Sequence, residues 1–109
     1  ECLHLRVPTI NVSLMDMSIQ LSRDTSVEEV NQLLKELAEG DLKGLLGYTE
    51  EPHASVDFNG DSRSVVVDGT QTRLSGKRLL KLICWFDNEW GFANRMLDIA
   101  EHWLALEKQ

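Results

Sequence analysis

Between Phe86 and Trp90 this chain changes the kind of structure its residues can form. Leu82, Cys84 and Phe86 recur at every second position, which reads Leu79 to Phe86 as a strand. From Glu89 to Leu106, Phe92, Met96, Ile99, Ala100, Trp103 and Leu106 instead fall on one side of a helix. Arg95, Asp98, Glu101 and His102 lie largely on its other side. A strand that runs straight into an amphipathic helix needs a sheet beside it, and the preceding residues must supply that sheet.

They do so in short pieces. Leu3 to Leu21 reads as extended, interrupted at Pro8. Ile10, Val12 and Leu14 alternate with polar residues; then the apolar set moves to Met15, Met17, Ile19 and Leu21, so the buried face changes. Ser26 and Glu29 form a capping-box pair ahead of Val27, Val30, Leu33, Leu34, Leu37 and Ala38, and Gly40 ends that run, predicting a helix over Val27–Glu39. Further strands are expected at Leu45–Tyr48, Ala54–Phe58, Ser64–Asp68 and Thr70–Leu74, separated by turns at Asn59-Gly60-Asp61, Gly69 and Ser75-Gly76. Strands joined by short turns, with helices that do not strictly alternate, predict an α+β fold. Its sheet is mainly antiparallel, with two helices packed on one face.

Composition narrows what such a fold can do. At 109 residues the chain is one domain, and 11 basic against 18 acidic residues give a net charge of −7. With no basic stripe to meet phosphates, neither nucleic acid nor an anionic membrane is expected as a partner. No apolar run is long enough to span a bilayer. Two cysteines, Cys2 and Cys84, make neither a disulfide scaffold nor a zinc site, and reduced thiols in a cytoplasmic protein are expected.

Complete catalytic constellations are missing from the sequence. It has no Gly-rich phosphate loop, no H-E-x-x-H and no nucleophile elbow. His4, His53 and His102 are far apart, so no metal site is expected, and His102 reads as a solvated helix residue. Cys84, in strand register, reads as a buried apolar-like thiol. Two features remain. Arg6, between Leu5 and Val7 on the expected strand, has a guanidinium fork suited to a phosphate or carboxylate, or is an ordinary surface arginine. Trp85-Phe86-Asp87-Asn88-Glu89-Trp90-Gly91-Phe92 sets four aromatics around a polar hinge. There Asp87 or Asn88 caps the helix, or an amide at the strand's end meets a ligand.

Read in order, several segments resemble the C-terminal part of the glyceraldehyde-3-phosphate dehydrogenase family. They are Arg6-Val7-Pro8-Thr9-Ile10-Asn11-Val12-Ser13, Leu42-Lys43-Gly44, Tyr48-Thr49-Glu50, Ser55-Val56-Asp57-Phe58 and the run from Trp85 to Arg95. Val67-Asp68-Gly69-Thr70-Gln71-Thr72-Arg73, with Trp90, Phe92 and Ala93, is most similar to the family's bacterial D-erythrose-4-phosphate dehydrogenase branch; the glyceraldehyde branch usually carries tyrosine and serine at 92 and 93.

The resemblance implies roles. Arg6 matches the arginine that binds the substrate phosphate, and Asn88 the asparagine that hydrogen-bonds the nicotinamide carboxamide of NAD. Phe92 matches a tyrosine beside the nicotinamide, although its stripe with Met96 already accounts for it as core. The implied activity is oxidation of D-erythrose 4-phosphate to 4-phosphoerythronate, on the route to pyridoxal phosphate, in a cytoplasmic homotetramer. The family's Ser-Cys-Thr-Thr-Asn nucleophile, its histidine base and its dinucleotide-binding domain belong upstream of the matching region. Residues 1–109 are therefore expected to be the C-terminal part of the catalytic domain, contributing no catalytic residue and inactive alone. Glycolytic glyceraldehyde-3-phosphate dehydrogenase and a non-catalytic oligomerisation module are the alternatives.

Overall fold

The structure, a computed structural model, describes residues 2–107. In chain order it contains β1 (Ser13–Gln20), α1 (Val27–Glu39), β2 (Leu46–Thr49), β3 (Val65–Asp68), β4 (Arg73–Ser75), β5 (Leu79–Phe86) and α2 (Asn88–Leu106). The fold is α+β with a five-stranded, mostly antiparallel sheet, as the sequence predicts.

β5 is the spine of this sheet. On one side it pairs antiparallel with all of β1, from Ser13 opposite Phe86 to Gln20 opposite Leu79. Along its other side β4 takes the first half and β3 the second. β2 then pairs with β3 in parallel, the one parallel ladder among the described residues. β1 begins at Ser13 because its partner ends there: beyond Phe86 the chain has become α2, and residues 2–12 have no ladder to join. The long extended start predicted from Leu3 is thus strand only from Ser13.

Leu46, Val67, Leu80, Leu82 and Cys84 form the buried core, with Met17, Ile19 and Leu21 against it from β1 and its end. α1 covers them with Val30, Leu34, Leu37 and Ala38. Its N-cap is Ser26, whose Oγ accepts from the Glu29 N–H at 3.1 Å. The Glu29 carboxylate does not close the capping box; it accepts from Thr25 Oγ (2.7 Å) and Arg23 Nη2 (2.8 Å).

Three further expectations change. Ala54–Phe58 is not a strand: Ser55–Phe58 forms a 3₁₀ turn, because Asp57 Oδ2 accepts from the Ala54 N–H at 2.7 Å and offers the backbone a local alternative to a ladder. That turn places Phe58 flat against Trp85, ring centroids 5.5 Å apart, and so covers part of the sheet's other face. Asp68 does the same for Thr70, accepting from its N–H at 3.0 Å and its hydroxyl at 2.6 Å, which turns Gly69–Gln71 into a second 3₁₀ turn and leaves Arg73–Ser75 as the strand.

The third concerns α2. Its limits match the prediction within one residue, but α1 alone lies over the core. Gly91 is its one buried residue among those described, close to the Arg63 carbonyl, and Arg95 ties the next turn to Ser62 O and Ser64 Oγ. Beyond that, Met96, Ile99, Trp103 and Leu106 are exposed, so the apolar stripe predicted as core is uncovered here. Among the described residues no helix is long and apolar enough to cross a membrane.

Candidate functional site

Where β5 meets α2, two distant parts of the chain, Asn11–Ser13 and Asn59-Gly60, converge on Asp87 and Asn88. Asp87, 4% exposed, is the N-cap of α2: its Oδ1 accepts from the Trp90 N–H at 3.1 Å. Its Oδ2 accepts from the Gly60 N–H and from Asn11 Nδ2, each at 2.9 Å. Asn11 Nδ2 also donates to Asn59 Oδ1 at 2.6 Å. One carboxylate therefore binds the start of α2 to the Asn59-Gly60 turn and to the approach of β1. The Gly60 N–H, first among these donors, holds the Asp87 carboxyl below its ordinary range against the opposing effect of burial; the Trp90 N–H and Asn11 act in the same direction.

Asn88 is the first residue of α2, exposed, and its Oδ1 accepts from Ser13 Oγ at 2.6 Å. Between Asn11 and Ser13 stands Val12 with φ +75°, a left-handed conformation that a β-branched residue rarely adopts. It is the point where the unpaired N-terminal segment turns into β1, with its neighbours bonded to Asp87 and Asn88. Asn11, Asn59, Gly60, Asp87, Glu89, Trp90 and Ala93 line an open concavity beside this junction.

Of the residues singled out in the sequence, Asn88 sits in this constellation and Arg6 does not share a contact with it. Arg6 is exposed in the segment before β1, off any strand, and makes no hydrogen bond or ion pair among the described residues. Phe92 is 67% exposed on α2 and is not core. Cys84 is 1% exposed, and burial pushes its thiol up to about 11, the opposite of an activated nucleophile. Cys2 lies in the exposed N-terminal segment. Among the described residues no group of three or more His, Cys, Asp or Glu is arranged to hold a metal ion.

Sequence reasoning missed Asn11, Ser13, Asn59 and Gly60. Asn11 and Ser13 look like ordinary polar alternates of a strand, and Asn59-Gly60 like an ordinary turn. Their partners lie 27 to 76 positions away, and no local pattern reports such pairs.

Fold and site together define an α+β domain with a network of hydrogen-bonding side chains at a strand-to-helix junction. Residues 1–88 match the family model described as glyceraldehyde 3-phosphate dehydrogenase, C-terminal domain, and the chain belongs to that family. Its members' activity makes this a domain of an oxidoreductase.

Proposed function

We propose that this domain serves an NAD-dependent dehydrogenase that oxidises D-erythrose 4-phosphate to 4-phosphoerythronate. The observation that carries the reading is the Asn88 amide, exposed at the head of α2 with Oδ1 taken by Ser13 and its Nδ2 hydrogens left to donate. That donor fits the carbonyl of a primary carboxamide, as in nicotinamide. When bound, NAD supplies the hydride acceptor. Asn88 fixes the orientation of its carboxamide, and Arg6 offers five donors in a fork that matches a phosphate. The covalent chemistry belongs to a nucleophile outside residues 1–109. A cytoplasmic location belongs to the same proposal.

The choice of the erythrose substrate rests on Val67–Arg73 and on Phe92 and Ala93. Steady-state rates on the complete subunit that carries this domain test it: kcat/KM is expected to be higher for D-erythrose 4-phosphate than for glyceraldehyde 3-phosphate. The reverse order would assign the protein to the glyceraldehyde branch. The 109-residue chain by itself is expected to form no NADH from either aldehyde, and measurable turnover would overturn the placement of the nucleophile elsewhere.

The same reading makes the protein a homo-oligomer. β1 is the outer strand of the sheet, with Leu14 and Met15 half-exposed on opposite faces, and an apolar outer strand is a surface that a second sheet can cover. Light scattering behind size exclusion is expected to give a mass above that of a monomer. A monomer at micromolar concentration would remove this part of the proposal.

A further inference from the structure

We propose that Ser13 is a positioning residue for the cofactor, acting through Asn88; this rests on the reading of Asn88 given above. A primary amide is nearly symmetric in shape but opposite in chemistry at its two ends, since Oδ1 accepts and Nδ2 donates. An exposed Asn at the head of a helix, with nothing against it, presents either end to a ligand. Here one end is engaged. Ser13 Oγ donates to Asn88 Oδ1 at 2.6 Å, so the amide is turned with Nδ2 outward before any ligand arrives.

Ser13 can do this because of where the sheet puts it. It is the first residue of β1, opposite Phe86, the last residue of β5, and the chain leaves Phe86 through Asp87 to Asn88. The end of the β1–β5 ladder thus sets the Ser13 hydroxyl beside the first residue of α2. Asn11, two positions earlier, holds Asp87 in the same way, so both ends of the Asp87-Asn88 pair are tied to one short segment around the left-handed Val12. Orientation completed in the free protein does not have to be established during binding, which is how a group that never touches the ligand changes affinity.

The decisive comparison is Ser13→Thr against Ser13→Val, two side chains of nearly equal shape that differ in the hydroxyl. In the ¹⁵N-labelled 109-residue chain, the heteronuclear NOE of the Asn88 side-chain amide is expected to be that of an ordered group in the parent and Ser13→Thr. In Ser13→Val it is expected to fall to that of a free surface Asn. In the complete subunit, NAD affinity measured by fluorescence titration is expected to weaken about fivefold in Ser13→Val, the factor that one net hydrogen bond represents, and to stay within twofold in Ser13→Thr. KM for the aldehyde phosphate is expected to be the same in both, which a general loss of structure would not allow. Equal NOE and equal NAD affinity in the two variants would overturn the role of the hydroxyl. Asn88→Ala separates the layers. If it weakens NAD binding while Ser13→Val does not, this inference alone fails; if it leaves NAD binding unchanged, the cofactor reading of Asn88 fails and this inference with it.

Discussion

Replacing Asp87 by alanine is expected to lower the stability of the domain by about 3 kcal/mol, combining the loss of a helix N-cap with donors left without an acceptor. The Trp90 N–H loses its cap, and the Gly60 N–H and Asn11 Nδ2 lose a shared carboxylate oxygen at a site only 4% exposed. For a domain of this size that is a fall of more than about 10 °C in Tm. The informative variant is Asp87→Asn. Asparagine caps helices as well as aspartate does, so a residue that served only as a cap would tolerate it. Here a second oxygen is required, because Oδ2 faces two donors and an amide would set an NH₂ group against them. Asp87→Asn is therefore expected to cost most of what Asp87→Ala costs, by urea unfolding with unchanged m-value. A near-neutral Asp87→Asn would reduce the residue to a cap.

The acid limb of the stability curve carries the same information. The Asp87 carboxyl holds its proton less tightly in the folded chain than in the unfolded one. Its contribution is then complete above the unfolded value of about 4 and is lost as pH falls from there through the lower folded value. In Asp87→Asn that part of the pH dependence is expected to disappear.

Gly69→Ala is expected to destabilise by about 2 kcal/mol through overpacking. A Cβ on Gly69 would fall within the ring and hydroxyl of Tyr48, which is held in place by donating to Glu50 Oε1 at 2.7 Å. The ring must swing away and break that bond. Tyr48 is the chain's one tyrosine, so its ionisation can be followed directly by phenolate absorbance. Burial first, and then the Glu50 carboxylate, push its hydroxyl up to about 12. In Gly69→Ala the midpoint is expected to move down toward the ordinary value of about 10 as the ring becomes exposed. Adding Tyr48→Val, which empties the space the new methyl enters, is expected to give a double variant less destabilised than the sum of the two singles. Simple additivity would mean that Tyr48 and Gly69 do not press on each other.

Most of the framework was legible because it depends on near neighbours. The stripe from Val27 to Ala38 with Ser26 ahead of it located α1, and the alternation through Leu82, Cys84 and Phe86 located β5 to the residue. Errors came where a side chain competed with the ladder. Asp57 and Asp68 each accept from a backbone N–H two or three residues away, and so make turns of segments whose valines and threonines read as strand. The uncovered apolar side of α2 is a different case: its pattern predicted burial, and the structure shows which turns of the helix reach the sheet and which do not.

By itself, then, the sequence determined both helices and β5, together with the α+β class, the family and the two residues, Arg6 and Asn88, on which the functional reading began. Periodicity, caps and ordered motifs are properties of residues close together in the chain, and they survive without a fold. Only the tertiary structure decided that Ser13 stands beside Asn88 and Asn11 beside Asp87, 75 and 76 positions apart. Those pairs exist because β1 and β5 run antiparallel in a register that ends at Ser13 and Phe86. A register is set by the burial of whole strands, Met17 and Ile19 on one and Leu80, Leu82 and Cys84 on the other, and no short segment of sequence contains it.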